Sequence, residues 1–128
     1  MTKGFFMALG MSMVFALTAS PSFAGDAEKG EKVFKKRCKA CHEAEVGKNK
    51  VGPFLSGVVG RKAGTADGFK RYKGLAGADW TWDEATLMEY LADPSAFAKA
   101  RTGKATSMTF KLKKEDERAD VIAYLKSK

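Results

Sequence analysis

The sequence predicts an all-α fold, with helices near both ends of the domain and long loops between them. Apolar residues recur at helical spacing in three segments, and no segment shows the sustained alternation of a β-strand. Residues 43–79 contain eight glycines and a proline among short apolar pieces, which is typical of loops and turns. A loop region of this length is easier to explain if it wraps a rigid ligand.

The first predicted helix begins at an N-cap, Asp26, and continues to about Arg37. Val33 and Phe34 lie on its apolar side. Gly30 costs about 1 kcal/mol relative to alanine inside a helix. Either another backbone passes close to it, or the glycine is simply tolerated there.

The second predicted helix begins at a capping box formed by Thr81 and Glu84. Leu87, Tyr90 and Leu91 form its apolar side, and it ends before Pro94. Three further segments complete the chain: a short helical piece over 95–100, a polar loop over 101–109 and a last helix over about 113–126.

Both cysteines and the only histidine lie within five residues, Cys38-Lys39-Ala40-Cys41-His42. C-x-x-C-H is the attachment sequence of c-type haem. The two thiols form thioethers with the porphyrin, and the imidazole can reach the iron as an axial ligand. We therefore expect one covalently bound haem c, an apolar group that would also enlarge the core of a small domain.

Three other uses of these residues are less favoured. A structural zinc site needs four ligands, so a carboxylate would have to join the three Cys and His side chains. A redox pair of the thioredoxin type is expected beside a βαβ pattern, which this sequence lacks. A disulfide between Cys38 and Cys41 would close a very short loop, where the gain in stability is smallest.

Residues 1–24 are typical of a cleaved secretory signal peptide. Lys3 supplies a positive charge, residues 5–17 form an apolar run, and residues 22–24 offer a small-x-small cleavage site. The run is shorter than the roughly 20 residues of a membrane-spanning helix. We therefore expect export to the periplasm, no stable membrane insertion, and one mature domain of residues 25–128.

The charge of the chain narrows the class of partner. The formal net charge is +8, and loss of the leader would leave 22 basic and 15 acidic residues, a charge of +7. Such a surface favours acidic protein docking surfaces, nucleic acid or an anionic membrane surface. Export argues against nucleic acid, and some of the lysines merely keep the surface solvated.

Two methionines outside the leader are the candidates for a second axial ligand, since the chain has no second histidine. Met88 lies in the middle of the second predicted helix, where packing explains it. Met108 lies in a polar loop without an apolar stripe, which favours it as the iron ligand. An open or water-ligated iron is the alternative, and it would suit small-molecule binding or peroxidase chemistry.

Eight further segments form a specific pattern with the C-x-x-C-H motif: 30–34, 51–53, 57–62, 68–69, Trp82, 86–91, 108–110 and 120–125. In these segments the chain resembles a class I c-type cytochrome, most like bacterial cytochrome c2, over essentially all of residues 25–128. The resemblance implies a small cytochrome c fold with three main helices and long loops wrapping one covalent haem.

The resemblance also implies roles for single residues. His42 and Met108 would be the axial ligands, and the carbonyl of Pro53 would accept a hydrogen bond from the His42 ring. Tyr90 would direct its hydroxyl to the sulfur of Met108. The haem propionates would be surrounded by Arg61, Tyr72, Trp82 and Thr106.

The resemblance places Gly30 and Phe34 against the last helix near Tyr124. It also brings out three departures. The segment 69–72 carries one residue more than the usual spacing. Phe54 replaces the asparagine common after Gly-Pro, which we interpret as surface or loop packing. The segment 94–108 is longer than in mitochondrial relatives and resembles the inserted loop of c2-type proteins.

The implied function is that of a diffusible, monomeric one-electron carrier, not an enzyme. The resemblance implies the cytochrome bc1 complex as donor and a photosynthetic reaction centre or cytochrome oxidase as acceptor, in photosynthesis or respiration. Two alternatives stay open: a haem enzyme or ligand sensor with an open sixth position, and the dedicated electron acceptor of a periplasmic dehydrogenase. The lysines expected around an exposed haem edge are Lys36, Lys39, Lys50, Lys99 and Lys104.

Overall fold

The computed structural model describes residues 14, 16 and 24–128, so the predicted leader lies almost wholly outside the described residues. The helices are α1 (Ala27–Val33), which continues as a π-helical segment (Phe34–Cys38), α2 (Glu84–Ala92), α3 (Pro94–Thr102) and α4 (Glu115–Lys126). Over the described ranges no strand forms beyond one antiparallel bridge between Lys62 and Thr81. The all-α prediction is confirmed, with α3 as a substantial fourth helix.

None of the helices in the described part of the chain has the length and apolar character needed to cross a membrane.

The first and last helices of the domain cross at Gly30. A Cβ atom at this position would lie 1.9 Å from the carbonyl oxygen of Asp120, so only glycine lets the two backbones meet. Beside the crossing, the rings of Phe34 and Tyr124 pack with their centroids 5.5 Å apart. The prediction that another backbone passes close to Gly30 is confirmed.

Side-chain caps determine where α1 and α2 begin. Asp26 caps α1, as predicted, by accepting hydrogen bonds from two backbone amides of the first turn. The cap of α2 is Asp83, whose carboxylate accepts from the amide of Thr86 at 2.7 Å while the Thr86 hydroxyl accepts from the Asp83 amide at 2.9 Å. The predicted capping box of Thr81 and Glu84 is wrong, because Thr81 lies two residues earlier, in the β-bridge.

Helix α3 extends beyond the predicted short piece at both ends. Asp93 accepts a hydrogen bond from the first turn, and Pro94 occupies the first helical position, where its missing N–H would have no intrahelical partner anyway. Gly103 ends the helix in the left-handed region with a φ of 77°. Residues 101–102, predicted to lie in a loop, therefore belong to α3.

Aromatic side chains fill the space between the glycine-rich loops and α3. Phe54 is 6% exposed, and the guanidinium of Arg61 lies 5.0 Å from its ring centroid. Phe54 therefore packs inside the loop region and does not lie at the surface. Trp80, for which the sequence predicts no role, packs edge-on against Trp82 and Phe97, with centroid distances of 5.7 and 5.6 Å.

Candidate functional site

A cavity of about 310 Å³ is lined by residues that extend from the π-helical segment after α1 to α4. All ten side chains expected at the site line this one cavity: Cys38, Cys41, His42, Pro53, Arg61, Tyr72, Trp82, Tyr90, Thr106 and Met108. They span 71 positions of sequence. The fold therefore brings the predicted site residues together in one place.

An irregular helical turn places the two cysteines and the histidine. Helix α1 widens into its π-helical segment, where the amide of Lys39 donates to the carbonyl of Phe34 at 2.9 Å. The amide of His42 then donates to the carbonyl of Cys38 at 2.9 Å, and that of Cys41 donates to it at 3.1 Å. This further turn directs all three side chains of the motif to the cavity wall.

The side chains around the thiols offer too few ligands for a structural metal site. Both cysteines are free, and burial raises the pKa of Cys38 to about 11, so this thiol is protonated at neutral pH. Over residues 24–128, no group of three or more His, Cys, Asp and Glu side chains is arranged to hold a metal ion, and the zinc alternative therefore gains no support.

His42 is held in one orientation from two sides. Its Nδ1 lies 2.8 Å from the carbonyl oxygen of Pro53; since a carbonyl can only accept, Nδ1 carries the proton and Nε2 keeps its lone pair. The backbone of Gly52 lies against the ring, because a Cβ there would be 2.2 Å from His42 Cε1. Burial lowers the pKa of His42 despite the bond to Pro53, which favours the neutral imidazole that binds metals.

Of the two candidate methionines, Met108 lines the cavity, whereas Met88 is buried in the core on α2. The amide of Met108 donates to the hydroxyl of Thr106 at 3.3 Å. The hydroxyl of Tyr90 lies 3.2 Å from the same Thr106 oxygen. In this structure the Tyr90 hydroxyl therefore pairs with Thr106, whose oxygen is a stronger acceptor than a thioether sulfur, and the bond from Tyr90 to the Met108 sulfur stays a prediction.

The residues expected near the propionates occupy different parts of the wall. Arg61 is fixed by donating to the carbonyls of Ser56 and Phe54 at 3.2 and 3.0 Å. The hydroxyl of Tyr72 accepts a hydrogen bond from the amide of Ala66 at 3.0 Å. Together with buried Trp82 and with Thr106, they contribute polar groups to the cavity wall. Burial lowers the pKa of Arg61, although a guanidinium stays protonated at neutral pH.

Three basic residues of the wall were not predicted from the sequence: Arg37, Arg71 and Lys73. Their only sequence signal is their position beside Cys38 and Tyr72. The guanidinium of Arg71 donates to the carbonyl of Lys50. Among the described residues that line the cavity, every charged side chain is basic. The five lysines expected around the haem edge are exposed and lie outside this wall: Lys36, Lys39, Lys50, Lys99 and Lys104.

This donor set fits haem c. Two thiols, an oriented imidazole and a thioether sulfur belong to the same cavity wall. Basic groups suit the propionates, and the remaining surface is made mainly of apolar side chains that suit the porphyrin: Leu55, Val58, Phe69, Leu75, Leu87, Leu91, Phe110, Val121 and Leu125.

Comparisons with known proteins identify the family of the chain. The cytochrome c family model matches residues 27–128. The chain is 52% identical over 114 residues to a cytochrome c2 of Rhodopseudomonas palustris, covering 78% of this chain and 96% of the relative. It is 50% identical over 108 residues to cytochrome c-550 of Novispirillum itersonii, with coverage of 79% and 96%.

Solved structures show the same likeness. Cytochrome c2 from Rhodospirillum centenum superposes with a TM-score of 0.71 at 44% identity, covering 80% of this chain and 98% of that one. Cytochrome cH from Methylobacterium extorquens superposes with a TM-score of 0.68 at 44% identity, with coverage of 81% and 100%. The chain therefore belongs to the cytochrome c family, as a class I electron-carrying protein like the bacterial cytochromes c2, with one covalently bound haem c.

Proposed function

We propose that the protein is a periplasmic one-electron carrier whose haem iron is held by Nε2 of His42 and the sulfur of Met108. One observation carries the proposal: both side chains line the same cavity as Cys38 and Cys41, with Nδ1 of His42 already engaged by Pro53. When bound, haem c supplies a one-electron Fe(II)/Fe(III) couple. Met88 is buried in the hydrophobic core and does not line the cavity, which supports Met108 as the second axial ligand.

The side chains of the site are suited to electron transfer with little rearrangement. Thioethers from Cys38 and Cys41 would anchor the porphyrin, while Pro53 and Gly52 keep the imidazole in place. The apolar wall excludes water, which disfavours the more highly charged oxidised state and, with methionine ligation, raises the reduction potential. Arg61 would offset the charge of the propionates, and the neutral side chains of Tyr72, Trp82 and Thr106 would offer them hydrogen-bond donors.

The start of the domain supports removal of a leader over residues 1–24. Gly25 packs closely against the last helix: a Cβ there would lie 2.0 Å from the carbonyl oxygen of Ala119. The family match begins two residues later, at residue 27. Cleavage before Gly25 would leave this contact intact and release the protein into the periplasm.

The proposed partners are acidic docking surfaces on the cytochrome bc1 complex as donor and on a photosynthetic reaction centre or cytochrome oxidase as acceptor. The basic residues Arg37, Arg71 and Lys73 line the cavity that would hold the haem, and the domain carries a net positive charge. Opposite charges accelerate encounter more than they tighten binding. The protein would meet these partners as a monomer.

A kinetic screen of the purified holoprotein tests the proposal. Electron transfer with each candidate partner is followed by stopped-flow absorption at increasing salt, and the rate with the true partners falls as salt screens the charges. Lys73→Gln slows it more than Lys29→Gln, which removes the same charge from α1, outside the cavity wall. If the protein accepts electrons only from a periplasmic dehydrogenase, the proposed partners are wrong. If it binds azide or carbon monoxide rapidly and transfers no electrons to any candidate, it is a haem enzyme or sensor.

A further inference from the structure

We infer that Thr102 is a positioning residue for Met108: by its hydrogen bond to Gly74 it holds the start of the Met108 loop, residues 103–111, and limits how readily Met108 leaves the iron. The inference rests on the proposed ligation by Met108. It adds a residue outside the cavity wall whose side chain acts on the ligand through the backbone of the loop.

The hydroxyl of Thr102 joins two parts of the chain that are distant in sequence. It donates to the carbonyl oxygen of Gly74 at 2.7 Å, the shortest of its contacts. The carbonyls of Ala98 and Lys104 lie farther away, at 3.0 and 3.3 Å. Because a hydroxyl has one proton, the bond to Gly74 is the one that best satisfies it. Thr102 is the last residue of α3, which is anchored by Phe97 and the fully buried Ala98.

Gly74 continues the connection to the Met108 loop by backbone contact. It is buried, and a Cβ at this position would lie 2.6 Å from both the carbonyl oxygen of Lys104 and the carbonyl carbon of Ala105. The two loops therefore touch without a side chain between them. Thr102 thus fastens the glycine-rich loop to the residues that precede Met108.

The Met108 loop is fixed at both ends. At its far end the amide of Leu112 donates to the carbonyl of Leu91 at 2.8 Å. Between these points, Thr106 and Met108 face the cavity. Movement of Met108 away from the iron needs this loop to open, and opening at the near end separates residues 104–105 from Gly74, which the bond from Thr102 holds in place.

Replacement of Met108 by imidazole in the ferric holoprotein tests the inference. Thr102→Val removes the hydroxyl and keeps the branched shape, so we expect the opening-limited rate at high imidazole concentration to rise about fivefold, the loss of one ordinary hydrogen bond. Thr102→Ser restores the wild-type rate. Gly74→Ala forces the two loops apart and should raise the imidazole rate further. This variant tests the inference if Thr102→Val does not fold.

Thr86→Val is the matched control, since it removes a helix-end threonine hydroxyl from the α2 cap, away from the Met108 loop. It lowers stability but leaves the imidazole rate unchanged. Equal rates for Thr102→Val and the wild type, or equal acceleration by Thr86→Val at equal loss of stability, would overturn the inference. A separate measurement tests the proposed ligation: if Met108 does not bind the iron, Met108→Ala leaves the ferric spectrum unchanged. Even then, faster amide exchange at residues 104–108 in Thr102→Val would show that Thr102 fastens the loop.

Discussion

His42 donates a hydrogen bond of 2.8 Å from its Nδ1 to the carbonyl oxygen of Pro53, eleven residues later in the chain. The bond fixes both the tautomer and the orientation of the imidazole, and it increases the basicity of Nε2 as a ligand. Proline suits this position because its φ angle is fixed by the ring. The loop that follows the haem motif therefore prepares the histidine for the metal.

The backbone beside this bond offers the first prediction. A methyl group in Gly52→Ala would overlap the His42 ring, so we expect a loss of about 1–3 kcal/mol in the free energy of unfolding of the holoprotein and a changed haem spectrum. Gly47→Asn is the control, since nothing lies within 4 Å of a Cβ there and asparagine tolerates its left-handed backbone. Denaturant titration followed by haem absorption gives both quantities, and an unchanged spectrum in Gly52→Ala would contradict the packing described for His42.

The crossing of α1 and α4 gives the second prediction. Gly30→Ala improves helix propensity by about 1 kcal/mol, yet the new methyl would overlap the carbonyl of Asp120. We expect the clash to prevail, with a net destabilisation of about 1–3 kcal/mol and little change in the spectrum of the folded protein. Chemical denaturation measures the difference. A variant as stable as the wild type would mean that the helices separate at no cost.

The cap of α2 predicts a pH dependence of stability. The amide and hydroxyl of Thr86 lower the pKa of Asp83 below its usual 3.8. A lowered pKa in the folded state adds stability above the unfolded value, and this contribution disappears as pH falls through the folded one. Asp83→Ala should cost about 1 kcal/mol at neutral pH, and the difference from wild type should shrink below about pH 4.

Asp83→Asn separates the cap from the charge, because asparagine still accepts hydrogen bonds at a helix N-terminus. Its stability should follow that of the wild type at low pH and fall behind at neutral pH. Thermal melts from pH 3 to 7 provide the comparison. A constant gap between Asp83→Ala and wild type over that range would show that the ionised carboxylate contributes nothing.

Much of the site could be predicted because its residue types are scarce. One histidine, two cysteines and two methionines outside the leader leave few combinations, and the family pattern supplied the remaining positions. The helices near the ends were predictable from caps and periodicity. Gly30 could be interpreted because a glycine inside a helix has a known cost.

The rest depends on tertiary contacts that no local pattern encodes. Thr81 and Asp83 both offer a capping oxygen, and the β-bridge to Lys62 decides between them. Tyr90 meets Thr106 because the Met108 loop is folded back over α2. The bond from Thr102 to Gly74 joins positions 28 residues apart, so neither residue carries a signal by itself.

The absorption spectrum of the ferric holoprotein tests the ligation by Met108 most directly. Methionine bound to ferric haem gives a weak charge-transfer band at the red end of the visible spectrum, and this band should be present in the wild type. It should disappear in Met108→Ala and persist in Met88→Leu, which alters the other methionine within the core. A Met108→Ala protein that keeps the band, or a wild type that lacks it and binds azide rapidly, would contradict a His/Met electron carrier.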